Sequence, residues 1–357
     1  PNIVFVLLDD VGYGDPGFHG GTNRTPHLDS LAERSLDLRC HYVAQSCSPT
    51  RMAFLTGRYP VRLGEVGLAG PMRQLEKRGL PSELVLLPAR LREAGYATAL
   101  VGKWHVGHHL PEHRPLQRGF DSFFGCLHNL SSYTTRVYRN GKPGWYRGEE
   151  LEAVEGHTTD VIADEAVRLI SQAGSSQPLF LQVAFTAVHF PLQPRPQDAE
   201  LFQRYPQEEE RNYVALLYHL DEAVGRIASA IAESERAEET LLIVTSDNGG
   251  DNAGYVSNGP FQGAKGRGGE GGLRAVTLCH WPAVLGSGVV DETISIVDWY
   301  PTLTALAGLE PIPGLDGLDI RDRLTWRSSG PRGDLLLMAK DSLRVLRRGP
   351  WKLMSDK

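Results

Sequence analysis

Apolar runs that end abruptly in polar residues set the rhythm of this chain and predict most of its elements. Residues 2–8, NIVFVLL, form an unbroken aliphatic and β-branched run that stops at Asp9-Asp10. A run without alternation is what a strand covered on both faces looks like, and such strands belong to α/β sheets flanked by helices. The pattern recurs at 96–101, ahead of Gly102-Lys103-Trp104-His105-Val106-Gly107, and at 179–188, which delivers His189 before Pro191 bars continuation. It recurs again at 240–246, TLLIVTS, ahead of Asp247-Asn248-Gly249-Gly250. Shorter strands are predicted over 38–45 and near 275–279.

Helical spacings separate these strands. Leu28, Leu31 and Ala32 share a face after Thr25-Pro26, and a helix is predicted over Leu86 to Ala94 with Gly95 closing it. Val161, Ile162, Val167, Leu169 and Ile170 mark a helix over 159–172 capped by Thr158 or Thr159. The stripe Leu216, Leu217, Leu220, Val224, Ile227 and Ile231 predicts a long helix over 208–233, and another starts at Val297 and stops at Gly308. Strand and helix in alternation predict an α/β fold: a large, mostly parallel mixed sheet with helices on both faces. Residues 108–157, rich in aromatics, histidines and arginines, have weak periodicity and read as an irregular excursion that shapes an entrance, where His128, Asn129 and Tyr133 are candidates to line the substrate pocket, with surface or entrance packing the preferred reading. The glycine-dense segment 249–272, which holds Lys265, reads as loop.

In open α/β sheets, ligands bind beyond the carboxyl ends of the strands. The four polar endings, Asp9-Asp10, Lys103 with His105, His189, and Asp247-Asn248, are therefore predicted to converge on one crevice. Asp9, Asp10, Asp247 and Asn248 offer only oxygen ligands, which suit a hard cation, Ca²⁺ or Mg²⁺, and disfavour zinc.

Composition narrows the picture without redirecting it. The 357 residues are 41% hydrophobic and 22% charged, the profile of an ordinary globular protein. A net charge of −6 without a basic tail or stripe argues against nucleic acid as a partner. No apolar run is long enough to span a membrane. Cys40, Cys47, Cys126 and Cys279 show no zinc-ligand spacing. The chain begins at Pro1 inside a predicted strand, which leads us to expect that any leader has been removed. From about Gly330 it turns arginine-rich and alternating.

The stretch Cys47 to Arg58 reads CSPTRMAFLTGR. Pro49 suits the first turn of a helix and Gly57 its end, so Cys47 lies at or just before a helix N-terminus. That end carries partial positive charge and free amides and can hold an anion, with Arg51 one turn further on. A lone cysteine is most often a small buried hydrophobe, and the position that a cysteine-phosphatase loop reserves for arginine holds Ala53. The full pattern resembles the signature of the type I sulfatases, Cys-Ser/Ala-Pro-Ser/Thr-Arg followed by Leu-x-Gly-Arg. Cys47, Ser48, Pro49, Thr50, Arg51, Leu55, Gly57 and Arg58 fill its fixed positions. The resemblance extends over nearly the whole chain through IVFVLLDDVGYGD, GKWHVG, His189-Phe190-Pro191, SDNGG and Lys265 ahead of EGGLR. Through GFHG, RTPHLD, RGFDSFFG and LDEAVG it is most similar to arylsulfatase B-like carbohydrate sulfatases.

That resemblance implies an alkaline-phosphatase-like fold, with residues 1–330 as the catalytic domain and 331–357 as the beginning of a small antiparallel subdomain. It implies hydrolysis of a sulfate monoester of a saccharide or aryl alcohol. The nucleophile would be the hydrated aldehyde of formylglycine, made from Cys47 by a separate formylglycine-generating maturation enzyme. Asp9, Asp10, Asp247, Asn248 and residue 47 would bind the metal, Arg51 would orient the hydrate, and Lys103 and Lys265 would hold sulfate oxygens. His189 would protonate the leaving alcohol and His105 would assist release of sulfate. A secreted, periplasmic or lysosomal location goes with this resemblance. Glycines around Lys265, where relatives often carry bulky residues, lead us to expect an open wall there. A phosphodiesterase or phosphonate monoester hydrolase of the same superfamily meets the same anion chemistry. A silent binding protein would keep the pocket with Cys47 unmodified.

Overall fold

All seven residues of the Asn2–Leu8 strand are buried, and the six apolar ones divide between two cores. Ile3, Phe5 and Leu7 face one side, where they join Met52, Phe54, Leu87, Leu91, Trp299 and Leu303. Val4, Val6 and Leu8 face the other, among Leu28, Leu31, Ile162, Leu216, Leu220 and Val224. Side chains alternate across a strand, so an apolar residue at every position requires a helical layer on both faces. The helices Cys47–Thr56, Leu87–Glu93 and Trp299–Leu306 form one layer. Pro26–Glu33, Thr158–Gln172 and Glu208–Ala232 form the other.

The computed structural model describes residues 1–68, 70–325, 332–340 and 343–355. Its main sheet has ten strands in the order Gly288–Val290, Leu36–Leu38, Thr277–His280, Thr240–Ser246, Asn2–Leu8, Leu179–Ala184, Ala97–Lys103, Ser122–Cys126, Tyr146–Arg147, Glu150–Leu151. The five from Thr240–Ser246 to Ser122–Cys126 run parallel. Thr277–His280 is antiparallel to its neighbours, so the sheet is mixed, as predicted. A separate antiparallel sheet of Leu335–Lys340, Leu343–Arg348 and Trp351–Ser355 follows. Leu335, Leu337 and Val345 pack there against Cys40, Tyr42 and Leu273 of the main body. The boundary expected at residue 330 falls within 326–331, outside the described residues.

Four local expectations are corrected. The 179–188 run is strand only to Ala184, after which the chain turns beneath the crevice. The 38–45 segment divides into Leu36–Leu38 and His41–Tyr42. Ser122–Cys126, inside the supposedly irregular excursion, is a full parallel strand beside Ala97–Lys103. The Thr158–Gln172 helix is capped by neither threonine; His157 Nδ1 accepts from Thr159 N at 3.2 Å, and Thr158 is already the first helical residue.

Candidate active site

Register brings the polar endings to one level. Leu8 pairs with Ser246 and Leu7 with Ala184, while Gly102 also pairs with Ala184. Asp9 and Asp247 therefore leave adjacent parallel strands at the same height, and Lys103, two strands from Asp9, ends its own strand one residue lower. All three are fully buried, and Asp10 and Asn248 nearly so. Asp10 has φ 69° and His105 φ 64°, left-handed conformations that side-chain-bearing residues seldom adopt. Such strain persists where the surroundings impose it and is concentrated at working sites.

The helix Cys47–Thr56 enters from one side, and all ten of its residues are buried. Phe54 stacks on Phe5 at 4.0 Å, fixing the helix to the central strand. Thr50 Oγ1 accepts from Ala44 N at 2.9 Å and Ser48 Oγ from Met72 N at 3.0 Å, which tie the incoming chain and a later loop to the first turn. Gly57 ends the helix at φ 63°, and a Cβ there would lie 2.9 Å from Tyr300 Cβ. Cys47 thus sits on the first turn as expected. Burial pushes its thiol pKa up, while Lys103 and Lys265 act to lower it and Asp247 and Asp9 to raise it.

Charges around that point are closely paired. Lys103 Nζ donates to Asp9 Oδ2, and Lys265 Nζ lies 2.7 Å from Asp10. Arg51 donates through Nε and Nη2 to Asp247 Oδ2, at 3.2 and 2.9 Å, and through Nη1 to the Lys103 carbonyl at 2.7 Å. Asn248 Nδ2 donates to Asp10 Oδ1 at 2.7 Å. Burial works to raise the Asp10 carboxyl, but Lys265 and His189 outweigh it and hold it well below the usual carboxylate range. Burial and then the neighbouring Asp9 carboxylate push Asp247 up to about 7. Three carboxylates, Asp9, Asp10 and Asp247, thus face three cations, Lys103, Lys265 and Arg51.

Two buried acceptors, Asp9 Oδ1 and Asn248 Oδ1, have no hydrogen-bond partner. Buried polar atoms are nearly always satisfied, so orphaned oxygens in an acidic, all-oxygen cluster fit a hard cation. Ligand atoms of Asp9, Asp10 and His189 lie within 4.8 Å of one another, which adds His189 to the expected neighbourhood. A second grouping, His157, Asp160 and His219, does not fit an ion. Arg195 and Arg226 approach Asp160 at 3.5 and 3.6 Å, and both His157 ring nitrogens are already bonded.

His189 is the most open member of the site, its side chain about one-fifth exposed. Its Nδ1–H donates to the Phe190 carbonyl at 2.7 Å, which leaves Nε2 facing Asp10 Oδ2 at 4.0 Å. Tyr133, expected mainly as entrance packing, supports it from below: its buried hydroxyl lies 2.6 Å from the Thr186 carbonyl and 2.8 Å from that of His189. Nothing in the aperiodic segment around Tyr133 signalled that role. His105 is wholly buried and donates from Nε2 to the Met72 carbonyl at 3.1 Å; His128 shares that acceptor at 2.9 Å. Burial, then Lys103, holds the His105 pKa well below its ordinary value.

The wall near Lys265 is open at Gly266, where a Cβ would meet nothing within 4 Å, and closed elsewhere. Lys265 N donates to Gly250 O at 3.0 Å and Gly266 N to Gln45 O at 2.7 Å. A Cβ on Gly249 would lie 1.8 Å from Gly271 O, and one on Gly272 2.3 Å from Ala264 O. These glycines let backbones close on one another, which makes the loop compact.

Comparison with known proteins agrees with this geometry. Residues 1–309 match the family model Sulfatase. Arylsulfatase J of Mus musculus is 34% identical over 98% of this chain and 60% of its own length. N-acetylgalactosamine-6-sulfatase of Sus scrofa is 36% identical over 92% and 67%. The chain thus spans about three-fifths to two-thirds of those relatives. The crystal structure of Ps i-CgsB in complex with k-i-k-neocarrahexaose superposes with a TM-score of 0.91 at 30% identity, covering 99% of this chain and 84% of that one. With its signature on a buried helix start and its carboxylates, lysines and histidines gathered above one sheet edge, the chain belongs to the sulfatase family.

Proposed function

We propose that the protein hydrolyses sulfate monoesters of saccharides or aryl alcohols, with residue 47 as nucleophile after conversion of Cys47 to formylglycine. The observation that carries this reading is the gathering of two lysines, Lys103 and Lys265, and four oxygen-bearing side chains around a cysteine on a helix's first turn. Lys103 and Lys265 would hold two sulfate oxygens, and the helix N-terminus adds partial positive charge. Arg51, fixed by Asp247 and the Lys103 carbonyl, would orient residue 47. His189 Nε2 would give its proton to the leaving alcohol, and His105 would assist departure of sulfate. Once formed, the aldehyde hydrate supplies two hydroxyls: one attacks sulfur and displaces the alcohol, and loss of the proton from the other expels sulfate and restores the aldehyde.

Asp9, Asp10, Asp247 and Asn248, with residue 47, would hold a hard divalent cation, Ca²⁺ or Mg²⁺. When bound, that ion offsets carboxylate charge and polarises a sulfate oxygen. Calcium's preference for about six to eight oxygens suits a site whose carboxylates can bind through both atoms. Catalysis would reside in residues 1–330. A maturation enzyme would be the protein partner, and a secreted, periplasmic or lysosomal setting fits the reading. Among the described residues, no helix is long and apolar enough to cross a membrane.

Mass spectrometry of the tryptic peptide containing residue 47, from native-source protein, should find the aldehyde or its hydrate; a thiol in every molecule would exclude this mechanism. Relative kcat/KM on an aryl sulfate and an aryl phosphodiester decides the reaction class, and a preference for the phosphodiester would replace the sulfatase reading.

A further inference from the structure

We infer that the cavity beside His189 is a subsite for a second anionic group on the leaving side of the substrate, contacted by Arg73 and Arg139. The inference rests on the sulfate-ester reading and names the kind of saccharide that the site selects. The cavity has a volume of about 1020 Å³, room for more than one sugar ring. Arg73, Gln74, His128, Asn129, Arg139 and Phe190 are on its wall. It shares Asn129, His189 and Phe190 with the narrow cleft that reaches down to Asp9. A substrate with its sulfate against Lys103 and Lys265 and its leaving oxygen at His189 would therefore continue over Phe190 into this space.

Charge on the wall is one-sided. Arg73 and Arg139 are both exposed, and neither guanidinium forms an ion pair among the described residues. The carboxylate on the wall, Glu76, is taken by the Arg78 guanidinium and by Arg73 N at 2.9 Å. His128 contributes no charge near neutrality, since burial, then His108, lowers its pKa to about 4. Two free guanidiniums facing a cavity suit planar or tetrahedral oxyanions, a sulfate or a carboxylate, that they can meet with paired N–H donors. Phe190, 72% exposed at the junction, offers an apolar face on which the sugar ring between the two anionic groups can lie. A saccharide bearing one sulfate alone would leave both arginines unused.

The test compares three disaccharides: one with a single sulfate, one with a second sulfate on the leaving-side sugar, and one with a carboxylate there. Affinities are measured by calorimetry on protein with Cys47 unmodified, so that they do not depend on turnover. Either dianionic probe should bind the unaltered protein about three- to tenfold more tightly than the monosulfated one, the range for one or two partly exposed charge-assisted contacts. In the Arg73→Ala/Arg139→Ala double variant that ratio should fall to about 1, and Arg73→Lys/Arg139→Lys should restore part of it. Which of the two dianionic probes gains more identifies the oxyanion. A general loosening of the fold would lower all three affinities and preserve the ratio. Equal affinities in the unaltered protein, or a ratio untouched by the double variant, would overturn the subsite. Failure of the matured enzyme to cleave any sulfate ester, with the affinity ratio intact, would refute the activity and leave the subsite standing.

Discussion

At the scale of single residues, the sharpest chemistry rests on His189. Its Nδ1–H is committed to the Phe190 carbonyl, so Nε2 is the nitrogen that can meet substrate. Burial lowers its pKa while Asp10 works to raise it. An arriving sulfate ester adds negative charge beside the ring and favours imidazolium, the form a proton donor needs. His189→Gln should therefore cut kcat on a sugar sulfate by about 10²–10⁴-fold. On 4-nitrophenyl sulfate, whose leaving phenolate needs little protonation, the loss should be far smaller. A plot of log kcat against leaving-group pKa, steeper for the variant than for the parent, is the readout; parallel lines would remove the general-acid role. Asp9, Asp10, Lys103, Asp247 and Asn248 were legible in the sequence because each lies at or just beyond the end of an apolar run that forms a buried strand, and His189 because it follows a run whose first part, to Ala184, is one. Tyr133 was not, since its function is a pair of hydrogen bonds to carbonyls 53 and 56 positions away. No local pattern encodes such a contact.

At the scale of elements, the site depends on how closely its parallel strands approach one residue before their functional ends. Gly102 has φ 102°, and a Cβ there would sit 2.0 Å from Ala184 O; a Cβ on Gly125, on the next strand, would sit 1.9 Å from Gly102 O. Three strands thus meet backbone to backbone just below Lys103. Gly102→Ala should force them apart, costing about 1–3 kcal/mol from strain and lost ladder bonds, and should displace Lys103 from Asp9. Denaturant midpoint and kcat/KM should fall together; full activity at unchanged stability would show that the approach does not matter. The same glycines explain what the sequence concealed. Ser122–Cys126, SFFGC, looked like part of an aromatic-rich irregular stretch because its glycine interrupts the apolar run, yet that glycine is what lets the strand lie against Gly102. Around Lys265, glycine density suggested slack, whereas Gly249 and Gly272 mark backbone contacts that any side chain would prevent. The helix starting at Cys47 was legible to within a residue because Pro49 marks its first turn and Gly57 its end.

At the scale of the whole molecule, the Lys265 loop is braced by the C-terminal sheet through Glu270. This carboxylate accepts from Arg274 Nε at 2.6 Å, from Tyr42 Oη at 2.7 Å and from Lys352 Nζ of the Trp351–Ser355 strand at 2.7 Å. Arg347 stands 3.9 Å away. The loop that presents Lys265 to Asp10 thus has its far end held by Lys352, 82 positions after Glu270. Burial works to raise the Glu270 pKa, but the Lys352 bond, with Tyr42 and Arg274, outweighs it and holds the carboxyl below its ordinary 4.5. A depressed folded pKa means that the contribution to stability is fully present above pH 4.5 and is lost as pH falls through the lower folded value. Glu270→Gln should therefore destabilise the protein by about 1–3 kcal/mol near neutrality, the cost of leaving charged donors without their acceptor. The gap from the parent should narrow as pH drops below 4.5. Because Lys265 would lose its anchored loop, KM for a sulfate ester should rise more than kcat falls. Urea unfolding of both proteins at neutral and acid pH, alongside steady-state kinetics, measures the two effects. A stability gap that does not change with pH would place the bracing in packing, and an unchanged KM would separate the C-terminal sheet from the sulfate site.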